Sequence, residues 1–312
     1  MTEIVGLLDL LGLDDPESID PEVNWRPRRW PDRLRVPIGR TAYGAVVELD
    51  LKEAAEGGMG PHGVIGGASA SGKTELIRTL LTTLAITHAP ADVGFAGIEA
   101  RGGDTFHGLA RLPHAFVTMG DIAAEWPGSP RLDRFVTTLT AEIARRQELL
   151  RSEGHRSHTA YTKAVRAGAP LMPLPHLLIV IDELSLIKDS SPGLVPLLRR
   201  VARLGRALGL HLLIADQTVA DWIDDFDRHL SYRVVLRTFT QSDSTRLLGI
   251  PSAWNELPRE PGNGFLKRDS DPVTRFRAAY LPLLDRVVDQ LAGWPGVEKE
   301  LWEPLRDSTT GI

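Results

Sequence analysis

The chain has 312 residues, 42% of them hydrophobic and 25% charged, long enough to bury a sizeable core; a formal net charge of -5 and a pI near 6.0 give it no global basic footprint. A partner held chiefly through a phosphate backbone is therefore disfavoured, a local basic patch staying open. Without cysteine there is no disulfide, thiolate nucleophile or Cys-ligated metal, and no apolar run approaches the ~20 residues that cross a bilayer, so the chain reads as soluble, without direct membrane insertion.

In chain order, residues 2–13 have the spacing of a short amphipathic helix. Residues 14–30, with their prolines and the run Trp25-Arg26-Pro27-Arg28-Arg29-Trp30, read as an extended arm. Its tryptophans serve more readily to clip the arm to a core than to stack on a base. Residues 35–51 alternate around Tyr43-Gly44 as a β-hairpin whose second strand turns Val47, Leu49 and Leu51 to one face. Residues 57–63 break regular structure. A short apolar strand, residues 63–66, then leads into Gly67-Ala68-Ser69-Ala70-Ser71-Gly72-Lys73-Thr74, which fits G-x-x-x-x-G-K-[ST] at every fixed position. The glycines let backbone N–H groups converge on an anion, Lys73 reaches the outer phosphates, and Thr74 offers a hydroxyl to Mg²⁺ at an electropositive helix N-terminus.

Ile77, Leu80, Leu81, Leu84 and His88 mark one stripe of that helix, which closes near Ala89-Pro90. Residues 93–100 form a second strand, with residues 101–106 at its carboxyl end, where doubly wound sheets place ligand loops. Leu132, Phe135, Val136, Leu139 and Ile143 define a long helix to about Arg151, and a second helix lies around 161–166. Residues 177–181 are an apolar run too short for a helix, read as a central parallel strand ending in Asp182-Glu183. A helix over 195–208, a strand over 211–215 and a strand over 230–239 continue the alternation. The tail carries a helix around Val287, Val288 and Leu291, then Trp294 and Trp302, which core or linker could equally explain. The βαβαβ order predicts one enlarged α/β domain. Its expected parts are an arm and hairpin over 1–55, a core over 56–285 and a tail or linker over 286–312.

An apolar strand closed by Asp182-Glu183, downstream of a phosphate loop, has the form of a Walker B element. Asp182 would hold the Mg²⁺ shell beside Thr74, and Glu183 would polarise the attacking water. Alone, such a pair is more often a helix cap or a solvated loop; the upstream loop makes the catalytic reading the better one. Gln217, just past a strand, is placed either to touch the γ-phosphate or to cap backbone. Arg203, Arg206, Arg237 and Arg246 are candidates for an arginine lent to a neighbour's nucleotide, each more readily explained as a surface ion pair. His155 and His158 are spaced i,i+3 without an acidic partner, which suggests solvated loop histidines rather than a metal site.

Further runs carry a resemblance over nearly the whole chain. They are residues 32–39, Gly58-Met59-Gly60-Pro61-His62-Gly63, Gly102-Gly103 with Thr105-Phe106, Leu112-Pro113-His114, residues 145–150, Leu204-Gly205-Arg206, residues 229–233 and 236–239, and Pro261-Gly262-Asn263-Gly264. With these the chain resembles the FtsK/SpoIIIE-type ATPase domains, most closely the first ATPase domain of EccC, the motor of type VII (ESX) secretion. The resemblance implies a P-loop NTPase with a RecA-like core, ATP and Mg²⁺ as ligands, and an oligomeric ring with adjoining ATPase domains and other secretion-complex subunits. It further implies a role in exporting small helical proteins at the cytoplasmic face of a membrane. The family usually reads Thr-Gly-Ser where this chain has Ser69-Ala70-Ser71, Asp-Phe-Lys at Glu99-Ala100-Arg101, Gln-Arg at Gln217-Thr218, and Glu-Ser-Arg at Asp243-Ser244-Thr245, which displaces the arginine to Arg246. Members carry transmembrane helices and further ATPase domains, so this chain is expected to be one domain or a separate subunit. The resulting expectation is slow hydrolysis, with Asp182 on the metal, Glu183 as base, and Gln217 and Arg246 assisting. The alternatives are an ATP-holding module that gates neighbouring motors, suggested by Ala70 and Arg246, and a DNA translocase, disfavoured by the acidic balance and the lack of a winged-helix tail.

Overall fold

The computed structural model describes residues 4–268 and 271–306. Ten strands form one sheet: β1 (Arg35–Arg40), β2 (Val46–Asp50), β3 (His62–Gly66), β4 (Val93–Glu99), β5 (Ala115–Met119), β6 (His176–Asp182), β7 (Leu210–Asp216), β8 (Tyr232–Leu236), β9 (Asn263–Arg268) and β10 (Thr274–Ala278). Their order is β2-β1-β10-β9-β8-β3-β7-β6-β4-β5. Strands β8, β3, β7, β6, β4 and β5 run parallel; the chain reverses between β8 and β9, and the remaining strands pair antiparallel.

Every residue of β3, β4, β6 and β7 is buried, as expected for parallel strands covered on both faces. Period-two alternation sends Val64, Ile179, Ile181 and Ile214 to one core, which the helices Pro130–Ser152 and Leu194–Leu208 cover. It sends Ile65, Leu178, Val180 and Leu213 to the other, beneath the helices Lys73–Thr87 and Leu284–Ala292. The β1–β2 hairpin joins this second core through Val36, Ile38, Val47 and Leu49, and β1 pairs with β10. The hairpin is therefore part of the same sheet as the phosphate-loop strand.

Of the N-terminal helix expected over residues 2–13, Leu7–Leu11 is helical, and Thr2 and Glu3 lie outside the described residues. The arm is tied to the core: Trp25 donates Nε1–H to the Ala85 carbonyl at 2.8 Å, and the Arg33 guanidinium covers the Trp30 ring at 3.7 Å. In the tail, Trp302 is 1% exposed and lies edge-on to Phe116 and Phe135. Its described part thus contributes to the core; residues 307–312 lie outside the described residues.

One expectation is corrected. His158 is not a solvated loop residue but 1% exposed at the start of the helix His158–Arg166, where Ser157 caps the first turn. Its ring lies 4.2 Å from that of His176, and His176 Nδ1 shares a proton with His211 Nε2 at 2.9 Å. Packing between adjacent strand ends draws it inward, which sequence spacing could not disclose.

Candidate nucleotide-binding site

The phosphate loop leaves β3 between β7 and β8, at the carboxyl ends of the parallel strands, where open α/β sheets hold their ligands. Gly67 N–H donates to the Asp216 carbonyl at 3.2 Å and Ala68 N–H to the Arg237 carbonyl at 2.7 Å, which pins the loop to both neighbours. Gly72 has φ 103, and a Cβ there would stand 2.9 Å from the Gly262 nitrogen, so conformation and space both demand glycine. Gly262 N–H closes the contact on the Ser71 carbonyl at 2.8 Å, bringing the Pro261-Gly262 turn onto the loop. Ala70, where the resembling family has glycine, has φ 57, a left-handed conformation costing an L-residue about 1–2 kcal/mol. Lys73 is buried, and its ammonium donates to the carbonyls of Gly67 at 2.8 Å and Ala68 at 3.1 Å. Burial lowers its pKa, against the attraction of Asp182, Glu183 and Asp216.

Asp182 ends β6 in register with Glu99 on β4 and Ala215 on β7. It is 5% exposed; its Oδ2 accepts the Thr105 hydroxyl at 2.7 Å, and its buried Oδ1 has no hydrogen-bond partner. Burial pushes its carboxyl up to about 6, against the Thr105 hydrogen bond and the Lys73 charge. Glu99 is likewise pushed up to about 7 by burial, partly countered by Thr105. Glu183 follows at φ 62, ψ 57, a strained backbone of the kind that collects at functional sites. Its carboxylate accepts a hydrogen bond from Gln217 Nε2 and lies 3.5 Å from Arg101 Nε.

Gln217 is itself held from below. Asp216, 1% exposed at the end of β7, accepts from Gln217 N–H at 2.7 Å, from Ser185 N–H at 2.7 Å and Oγ at 2.8 Å, and from Trp222 Nε1–H at 2.9 Å. One buried carboxylate thus ties Gln217 to the segment after Glu183. Burial raises its pKa, countered by the Ser185 and Gln217 donors.

Ser69, Ala70, Gly72, Lys73, Thr74, Asp182, Glu183 and Gln217 line one recess of about 330 Å³, together with Glu75 and Pro261. Gly72, Glu75 and Pro261 also border a second recess of about 320 Å³, whose far walls include Val5, Leu76, Ala278 and Tyr280. The donor set suits Mg²⁺: Thr74 and Asp182 both line the recess and carry hard oxygens, and the buried Asp182 Oδ1 has no protein partner. No cluster of three His, Asp or Glu ligands occurs among the described residues, so phosphate and water oxygens would complete the shell.

Arg246 is not in this group. It stands on the helix Gln241–Leu248, paired with Asp224 and partly exposed. Arg206 faces Glu53 at 3.8 Å on the helix Leu194–Leu208, which also carries Arg203, and Arg237 meets the loop through its carbonyl. None of the four borders the recess. Sequence reading passed over Thr105 and Asp216. The signal for Asp216 was an acid closing an apolar strand as Asp182 does; Thr105 sat in the loop already flagged after β4.

The sequence model of the FtsK/SpoIIIE family matches residues 22–221. The ESX secretion system protein EccC of Thermomonospora curvata is 47% identical over 277 residues, covering 88% of this chain and 21% of that protein. The ESX-4 secretion system protein EccC4 of Mycobacterium tuberculosis (strain ATCC 25618 / H37Rv) is 41% identical over 278 residues, 88% of this chain and 22% of that protein. The solved cytoplasmic domain of the Thermomonospora curvata type VII secretion ATPase EccC superposes with a TM-score of 0.91 at 44% identity, over 96% of this chain and 36% of that one. The fold is accordingly that of a P-loop NTPase, and the chain spans about a fifth of the length of these two relatives.

Proposed function

This chain belongs to the FtsK/SpoIIIE family, and we propose that it is an ATP-hydrolysing motor domain of a type VII secretion complex. The observation that carries the reading is the convergence of Ser69, Ala70, Gly72, Lys73 and Thr74 of the phosphate loop with Asp182, Glu183 and Gln217 on one recess. The triphosphate lies along the loop N–H groups with its outer charge met by Lys73, and the purine base enters the second, more apolar recess beyond Gly72 and Pro261. Thr74 and Asp182 would hold Mg²⁺, which when bound would supply positive charge beside the phosphate oxygens. Glu183 accepts a proton from the attacking water, and Gln217 orients that water.

Turnover is slow in this reading. Glu183 is engaged by Gln217 and Arg101, Ala70 strains the loop, and Arg246 stands off the recess, available to a neighbouring subunit. Partners are adjoining ATPase domains and other secretion-complex subunits, in keeping with the share of the relatives that the chain spans. No helix among the described residues is long and apolar enough to cross a membrane, and we place the domain on the cytoplasmic side of the complex.

Phosphate release and nucleotide affinity measured on one preparation test the reading. Glu183→Gln should abolish turnover and leave affinity within a few-fold; unchanged turnover removes the base assignment. Tight binding with no phosphate release, even with the adjoining motor domains present, would instead establish an ATP-holding module that gates its neighbours. That second reading is favoured by the contacts already made by Glu183. A salt-sensitive rise in turnover on adding duplex DNA would point to a translocase.

A further inference from the structure

We propose that Thr105 is a positioning residue for the metal ligand Asp182, clamped for that task by Glu99 and Phe106; the proposal rests on the Mg²⁺-nucleotide reading above. Thr105 is fully buried in the loop between β4 and β5, and its hydroxyl donates to Asp182 Oδ2 at 2.7 Å across 77 residues of sequence. With Oδ2 pinned, Oδ1 is the oxygen of Asp182 that has no protein partner, and so the one left to a metal shell. A carboxylate bound through a single bond to its chain can swivel about its χ angles; one short hydrogen bond to a buried donor removes that freedom.

The donor is itself over-determined. Thr105 Oγ1 lies 3.0 Å from Glu99 Oε1, and the Thr105 N–H lies 3.5 Å from the same oxygen. A hydroxyl has one proton and so donates to one carboxyl group at a time; the shorter contact, 2.7 Å to Asp182 Oδ2 against 3.0 Å to Glu99 Oε1, assigns that proton to Asp182 and leaves a lone pair to accept from the Glu99 carboxyl in its protonated form. The loop is shaped around Glu99: a Cβ on Gly103 would come within 2.3 Å of Glu99 Oε1. On its other side Phe106 is 5% exposed and lies over Gly97 of β4, where a Cβ would meet the ring at 2.3 Å. Thr105 is thus set between two anchors on one strand, and its β-branch restricts χ1 further.

The test reads metal dependence, not turnover. Binding of a fluorescent, non-hydrolysed ATP analogue is titrated with MgCl₂ for the intact chain and its variants. In the wild type, Mg²⁺ should tighten binding, and Asp182→Ala should remove that effect. Thr105→Val keeps the shape and removes the donor; the Mg²⁺ concentration for half-maximal tightening should rise ~10–100-fold, with Mg²⁺-free affinity unchanged. Thr105→Ser should return it to within a few-fold of the wild type. Gly103→Ala, which drives Glu99 from its place, supplies an independent variant and should shift Mg²⁺ dependence in the same direction. Wild-type Mg²⁺ dependence in T105V or in G103A overturns the proposal and leaves the metal reading standing. Equal losses with and without Mg²⁺ also overturn it, since they mark a merely structural residue. Wild-type binding indifferent to Mg²⁺ overturns the metal reading and this proposal together.

Discussion

Mild acid should destabilise this domain, because six histidines are sealed in its interior: His62, His88, His114, His158 and His211 are all under 5% exposed, and His176 is 8% exposed. Burial holds His62, His88, His158 and His211 at about 3, His114 at about 4, and His176 well below its ordinary value. Like charges add to the effect: Arg33 and Arg146 both face the His158–His176–His211 group, and Arg33 Nη1 lies 3.5 Å from His176 Nε2. Protonation would also break structure, since His62 Nδ1 accepts the Leu212 N–H and His88 Nε2 the Leu34 N–H, both at 3.0 Å. The folded pKa values lie below the unfolded one, so the folded chain binds fewer protons in this window. The contribution is fully present above the unfolded value of ~6.5 and is lost as pH falls below it.

At pH 5.5 the five histidines held at about 3 or 4 together cost about 7 kcal/mol, and His176 adds in the same direction. Glu99 and Asp182 oppose this, because carboxyls raised to about 7 and about 6 bind protons in the folded state first. They return about 3 kcal/mol, so the net loss between pH 7.5 and 5.5 is about 4 kcal/mol before His176 is counted, comparable with the whole stability of a marginal domain. Urea unfolding followed by circular dichroism at half-unit pH steps measures the slope, which should correspond to at least about three protons taken up on unfolding near pH 5.5. His211→Gln should reduce that by about one. A slope of one proton or fewer would refute the reasoning.

Other perturbations address separate parts of the structure. Ala70→Gly relieves the left-handed strain at φ 57 and should raise stability by about 0.5–1 kcal/mol in the same urea assay, after the entropic cost of glycine. Arg146 is fully buried and donates to Glu142, Leu208 and Pro175; Arg146→Met leaves the Glu142 carboxylate with less compensation and should cost about 3–5 kcal/mol. Trp302→Ala should cost about 3–5 kcal/mol by thermal melting, which would distinguish a core-forming tail from a linker. Arg246→Ala should change stability by less than about 1 kcal/mol and leave the turnover of the isolated chain unaltered, since its partner Asp224 is exposed.

The central strands were legible because fully buried parallel strands write themselves as unbroken apolar runs, as residues 177–181 do. Strands β9 and β10 were not, because Thr274–Ala278 carries two arginines and Asn263–Arg268 opens on Asn-Gly, compositions that suit a half-exposed antiparallel strand and a loop equally. The hairpin was visible, but not its pairing with β10, which joins residues more than two hundred positions apart. His158 was misjudged for a related reason: its burial depends on β6 and β7 arriving beside it.

By itself, the sequence determined what is local and covalent about this protein: the Gly-rich turn with Lys73 and Thr74, the acid pair at the end of an apolar run, the α/β alternation, and the glycine-to-alanine change that the backbone angle at Ala70 makes meaningful. Tertiary structure alone decided which side chains share a recess. Only when β4, β6 and β7 lie in register do Thr105, Asp182 and Asp216 meet the groups they hold, while Arg246 is carried away on its own helix. The reason is physical: a hydrogen bond acts over about 3 Å, and only packing brings groups that far apart in sequence within that range.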